Sequence, residues 1–232
     1  MDNVKPIKTP YCPSVRLISI FVHLLSDPST YRVMVGVLQY LTFTRPNLSY
    51  AVHQLCQFIQ FLTNQHLIAV KRVLRYVRDI LTTSLQFNLG QLTLSAFTDI
   101  DWAGDPSNYL VFLNWSPISW FAKKQSTFSR SSAKVEYWAF ASTIAKLSWL
   151  RSLFCELHFI LSYFPKLWYD NVSALALASN PVFHTCTKHI EVDFYFGCEK
   201  VLRRDIQVNF VSGTDNLADI FTKPLCPFVF FY

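Results

Sequence analysis

The chain has 232 residues, a formal net charge of +6, and 51% hydrophobic, 16% aromatic and 16% charged residues. So little charge with so many aromatics excludes a disordered tail, and 5 glycines and 11 prolines exclude a collagen-like or low-complexity chain. The length allows one or two domains with a sizeable core, and no apolar run approaches the ~20 residues that span a bilayer, so no membrane partner is expected.

Residues 1–30 read as an irregular arm punctuated by Pro6, Pro10, Pro13 and Pro28. Its apolar run, Leu17 to Leu25, is followed by Ser26-Asp27-Pro28 rather than by a small-residue cleavage site, which argues against a signal peptide. From Tyr31 the pattern turns helical, with Val33, Val37, Leu38 and Leu41 at helical spacing until Pro46 breaks it. A second helix is expected from Tyr50 to Phe61 and a third from Asn64 to Ile80. In the third, Val70, Val73, Leu74 and Val77 make the apolar stripe, and Lys71, Arg72, Arg75 and Arg78 lie towards the other side. Residues 31–90 carry six basic groups and one acid, whereas residues 91–226 carry twelve of each. Nearly all the excess charge therefore sits on one segment, which points to a polyanion such as nucleic acid; a solvated helix face is the plainer reading of the same run.

At Leu92 the period changes to two, and a strand is expected to end at Thr98-Asp99. Tyr109 to Leu113 and Ile118 to Ala122 are two further strands, with Asn114-Trp115-Ser116-Pro117 as the turn between them. Ser131 and Ser132 are suited to cap a long helix running to about His158. Then come a short strand at Leu167-Trp168-Tyr169, a helix from Asn171 to Ser179, another from Lys188 to Arg203, a strand around Ile206 to Val211, and a short helix from Asp215 to Phe221. Three leading strands followed by strands separated by helices fit an α/β fold with one mixed sheet and helices on its faces.

The six cysteines form no C-x-x-C pair and read as reduced thiols of an intracellular protein, cytoplasmic or nuclear and not secreted. Cys186, His189 and Cys198 are irregularly spaced with no second cluster, so packing explains them better than zinc. Four acids sit at comparable places: Asp99 and Asp170 at strand ends, Glu136 about a turn into the long helix, and Asp219 in the last short helix. Open α/β sheets place ligand sites at strand ends. Carboxylates gathered there repel one another unless a cation neutralises them, and oxygen-only ligands select Mg²⁺ or Mn²⁺. Two such ions are the usual clamp for phosphodiester cleavage. Caps, turn residues and surface groups are the alternative reading of the same four acids.

Several blocks, in order, carry a resemblance. Tyr31 to Thr42 with Thr44-Arg45-Pro46, and Ala69 to Tyr76, resemble the post-polymerase segment of copia-type retrotransposon Pol polyproteins. Thr98-Asp99-Ile100-Asp101-Trp102-Ala103-Gly104, Ser129 to Tyr137, Tyr169 to Ala174, Thr187 to Glu191 and Asn216 to Leu225 resemble the family's ribonuclease H blocks. The resemblance implies a ribonuclease H-like mixed five-stranded sheet flanked by helices (91–225), preceded by the arm (1–30) and a basic helical connection segment (31–90), and followed by an apolar tail (226–232). It implies metal-dependent cleavage of RNA in an RNA–DNA hybrid. Asp99, Glu136, Asp170 and Asp219 would be the catalytic and metal-holding set, with two Mg²⁺ or Mn²⁺ ions, and Asp101 ranks second to Asp99 in its block. Glu136 would serve the metal on the hybrid's 2′-hydroxyl side and Asp219 the metal on the water side. Lys71, Arg72, Arg75 and Arg78 would contact nucleic acid, and a reverse transcriptase polymerase domain is a further expected partner, since these residues contain no polymerase active site.

Three departures from the family pattern stand out. Only Asp105-Pro106-Ser107-Asn108 stands where the family has a longer stretch, so the hairpin supporting Asp99 is expected to lose pairing. Lys134 replaces an acid two positions before Glu136, and the tail from Cys226 is not family-like. The pattern is that of a decayed or truncated element copy. Its alternatives to a nuclease are a catalytically inactive nucleic-acid-binding remnant and a helical protein-interaction module.

Overall fold

The computed structural model describes residues 5–12, 17, 25–88, 90–99, 107–123, 132–171 and 191–223, with only the backbone described at 107, 123, 132–137 and 191–194. Residues 172–179 of the helix expected from Asn171, the start of the helix at Lys188, Asp101, the Cys186–His189 pair and the apolar tail lie outside these residues. The chain divides into two compact units, residues 1–85 with 223–232 and residues 86–222.

In the first unit, helix α1 (Pro28–Leu41) opens on Asp27, whose carboxylate accepts from the Ser29 backbone N–H at 3.0 Å, the Thr30 hydroxyl at 2.7 Å and the Ser29 hydroxyl. The Ser29 and Thr30 hydrogen bonds favour the ionised form and hold Asp27 at about 2. Tyr31, Val35 and Leu38 form the buried face of α1, and the Tyr31 hydroxyl donates to the Leu55 carbonyl at 3.0 Å. A 3-10 turn at Pro46–Leu48 leads into α2 (Ser49–Cys56). This helix is shorter than the sequence pattern implies. Beyond Cys56 the chain tightens into i→i+3 bonds, Phe58 N to Leu55 O and Phe61 N to Phe58 O, which bring it round to the next cap at Thr63. There Thr63 opens α3 (Asn64–Asp79) with a reciprocal capping box in which His66 stands at the third position.

The α3 stripe Val70, Val73 and Tyr76 closes this core against Leu48, Val52 and Leu55. The arm is not loose where it is described. Tyr11 packs edge-on against Tyr50 at 5.3 Å, Arg72 donates to the Thr9 hydroxyl at 2.7 Å, and Arg75 donates to the Lys5 carbonyl at 2.8 Å.

The second unit is a five-stranded sheet in the order β3-β2-β1-β4-β5. Strands β1 (Leu94–Asp99), β2 (Ser107–Leu113) and β3 (Ser116–Lys123) form an antiparallel meander, while β4 (Lys166–Tyr169) and β5 (Gln207–Phe210) add in parallel. The β2–β3 turn is only Asn114-Trp115, with Asn114 at φ 57°, a conformation asparagine tolerates better than most residues. Pro117 therefore falls inside β3 rather than in the turn. It is tolerated there because β3 is an edge strand with a register shift opposite Val111 and Phe112.

One face of the sheet, Leu94, Ala96, Val111, Leu167 and Tyr169, packs on two helices, α4 (Ser132–Glu156) and α5 (Glu191–Leu202). Phe140, Ile144, Leu147 and Leu150 recur at helical spacing along α4 and are buried there. Gly197 lets α5 approach α4 closely, because a Cβ at that position would come within 3.1 Å of the Phe140 ring. The hairpin expected to fray is intact. Its β2 strand begins at Ser107, two residues earlier than the pattern implied, and β1 is paired along its whole length up to Asp99 opposite Asn108. Hydrogen bonding carries strand geometry into the polar residues Ser107 and Asn108, which propensity alone does not favour.

Candidate active site

Pairing decides which side chains share a face, since directly opposed residues of a sheet point the same way. Asp99 opposes Asn108, and Asn108 opposes Ala122. The parallel β1–β4 register pairs Thr98 with Tyr169, so Asp99 and Asp170 follow at the ends of neighbouring strands, on the face turned away from α4 and α5. One step down on that face are Trp120, Leu110, Phe97 and Trp168, with Phe97 and Trp168 stacked at 6.2 Å. Phe97 and Trp168 also line a cavity of about 460 Å³, with Phe112, Trp115 and Lys166.

A 3-10 helix (Leu217–Phe221) closes the end of β1. Asn216 fixes it in place: its side-chain N–H donates to the Thr98 carbonyl at 3.0 Å, and its side-chain oxygen accepts from the Ala218 N–H at 3.1 Å. Just past this helix the Thr222 hydroxyl donates to Asp99 Oδ2 at 2.6 Å. Asp99 is 4% exposed, and among the described residues no cation pairs with it. A carboxylate taken out of water with one hydroxyl donor and no counter-charge is costly. This donor set, an uncompensated buried carboxylate beside a second one, fits a hard divalent cation.

Of the four acids expected to converge, Asp99 and Asp170 are brought to adjacent strand ends. Asp170 is half-buried, and the loop after β5 passes beside it, since a Cβ at Gly213 would sit 3.9 Å from its carboxylate. Asp219 lies in the 3-10 helix, tied to the same end of the sheet through Thr222, whose hydroxyl reaches both Asp99 Oδ2 and, at 3.3 Å, the Asp219 carbonyl. Glu136 lies in the first turns of α4, where only the backbone is described. Among the described residues no group of three or more His, Cys, Asp or Glu side chains is placed to hold a metal ion.

Sequence reasoning missed Thr222, Asn216 and Asn108. Thr222 lies within the stretch Asn216 to Leu225, three residues after Asp219, but nothing local ties it to Asp99, 123 residues away. On the basic helix, Lys71 is exposed, while Arg72 and Arg75 are engaged by the arm. Among the described residues no helix is long and apolar enough to cross a membrane.

An antiparallel meander continued by two parallel strands, with helices on one face and acids at the ends of its two central strands, defines a ribonuclease H-like α/β domain. The foamy viral protease–reverse transcriptase, solved in complex with RNA/DNA hybrid, has a similar fold: TM-score 0.50 at 12% identity, over 88% of this chain and 27% of that one. No protein-family model matches the chain. Curated relatives do. The retrovirus-related Pol polyproteins from transposons RE1 and RE2 of Arabidopsis thaliana are 43% and 44% identical over 97% of the chain. The chain belongs to the Pol polyproteins of copia-type retrotransposons, and it spans 16% of the length of these two relatives.

Proposed function

We propose that residues 86–222 form a ribonuclease H-type nuclease that cuts the RNA strand of an RNA–DNA hybrid and depends on Mg²⁺ or Mn²⁺. The observation that supports this most is Asp99, buried with no counter-charge among the described residues, at the end of a central strand and level with Asp170 on the next. Asp99 and Asp170 would hold the divalent cations, two in number, joined by Glu136 and Asp219. When bound, the ions would supply Lewis acidity to the attacking water and to the departing 3′ oxygen. The protein's own contribution is preorganisation. Thr222 fixes one oxygen of Asp99, Asn216 locks the 3-10 helix onto β1, and the fully paired β1–β2 hairpin holds Asp99 at a set height. Catalytic geometry needs such holding, because a displacement of ~1 Å can cost ~100-fold in rate.

Lys71, Arg72, Arg75 and Arg78 on α3 would serve the hybrid's phosphates, with Lys71 available and Arg72 and Arg75 first having to leave Thr9 and Lys5. A reverse transcriptase polymerase domain, as in the family's whole polyproteins, is the further partner in this reading. Since no group of three metal-type side chains meets among the described residues, a site that binds hybrid without cutting it is the second reading. Purified protein is incubated with end-labelled RNA–DNA hybrid in Mg²⁺ and in a chelator. Cleavage of the RNA strand in Mg²⁺ alone supports the nuclease, hybrid retention without cleavage supports the remnant, and neither result refutes both.

A further inference from the structure

Asn108 stands beside Asp99 in an unusual state. It is 1% exposed, and neither its side-chain oxygen nor its side-chain nitrogen has a hydrogen-bond partner among the described residues. Buried amides are almost always paired, and one with both atoms orphaned calls for an explanation. Its backbone is fixed, because the Asn108 carbonyl accepts from the Thr98 hydroxyl at 2.9 Å. Its cross-strand neighbours on that face are Asp99 on one side and Ala122 on the other, and Ala122 offers no polar side chain. Asn216, the other buried amide at this end of the sheet, has both its side-chain atoms in use. The orphaned amide is therefore a property of the position opposite Asp99.

We propose that the Asn108 side-chain oxygen is a neutral ligand to a divalent cation held by Asp99 and Asp170. Carboxylate and amide oxygens together form the hard donor set that Mg²⁺, Mn²⁺ and Ca²⁺ take. An ion there answers both problems of the site at once, the uncompensated carboxylate and the unused amide oxygen. This inference rests on the metal-site reading above, and it assigns the site a ligand that does not belong to the four acids.

The test is Mn²⁺ titration of the full chain, followed by electron paramagnetic resonance of free Mn²⁺ and by melting temperature, for the parent and for Asn108→Leu, Asn108→Asp and Asp99→Asn. Leucine is close in size to asparagine and carries no amide. Asn108→Leu is expected to melt higher than the parent without metal, because an unpaired buried amide is gone. It is also expected to bind Mn²⁺ about tenfold more weakly. Asn108→Asp is expected to bind Mn²⁺ more tightly than the parent at pH 8. A purely structural amide would move the metal-free melting temperature alone. If Asn108→Leu keeps the parent's Mn²⁺ affinity within twofold while Asp99→Asn loses it, the metal site stands and the role of Asn108 falls. If the parent shows no saturable Mn²⁺ binding, the metal site and this ligand fall together. Should Asn108→Leu not fold, an Asn108→Asp affinity no tighter than the parent's overturns the assignment.

Discussion

Replacing Asp99 by asparagine separates what this carboxylate does for chemistry from what it costs the fold. The parent side chain is 4% exposed, accepts one hydroxyl hydrogen bond from Thr222 and faces no cation among the described residues. An amide at this position keeps an acceptor for Thr222 and removes the buried charge. Relief of an unsatisfied buried polar group is worth about 1–3 kcal/mol. A net gain of about 2 kcal/mol in the metal-free protein is expected, or roughly 5–10 °C in melting temperature for a domain of this size. The assay is scanning calorimetry at pH 7 in chelator and again with Mg²⁺. The parent is expected to gain about 2.7 kcal/mol at a hundredfold excess of ion over its dissociation constant, and Asp99→Asn almost nothing. Hybrid cleavage is lost in the variant. A lower melting temperature for Asp99→Asn than for the parent in chelator would refute the reasoning, since it would mean that the folded protein already compensates the charge.

Thr222→Val keeps the shape of the side chain and removes its 2.6 Å bond to Asp99, so it is expected to lower kcat more than hybrid affinity and to cost about 1–2 kcal/mol in urea unfolding. Equal losses in a variant already lacking Asp99 would contradict this. On α3, Lys71→Ala is expected to weaken hybrid binding and flatten its salt dependence without disturbing the arm. Arg72→Ala removes the Thr9 contact as well and is expected to speed proteolysis within residues 1–17, read by mass spectrometry. His66 is buried, its Nδ1 accepts from the Thr63 backbone at 3.0 Å, and burial pushes its pKa below the usual histidine value. The unfolded chain therefore takes up a proton first as the pH falls. Stability is fully present above about pH 6.5 and declines as the pH drops from there through the lower folded value. His66→Gln is expected to flatten the melting temperature between pH 7 and 5, and an unchanged slope would count against His66 as its source.

Periodicity alone determined much of this molecule. The change from a helical period to a period of two at residue 92 falls two residues before β1 begins, because a helix buries every third or fourth residue and a half-covered strand every second. The apolar stripe of α3, Val70, Val73, Leu74 and Val77, is visible in the chain for the same reason. Asp99 and Asp170 were legible as a pair, because parallel strands that end on acids carry them to one edge of the sheet. The tertiary structure decided what local pattern cannot contain. Register placed Asn108 opposite Asp99 and extended β2 to Ser107, so the hairpin expected to lose pairing through its short connecting stretch is intact. Long-range hydrogen bonds brought Thr222 to Asp99 and the Thr9 hydroxyl to Arg72, so part of the basic helix face is occupied rather than open. Such contacts join residues 63 to 123 positions apart. They exist only once the intervening chain has paid its ordering entropy and packed, which is why no spacing rule along the sequence reveals them.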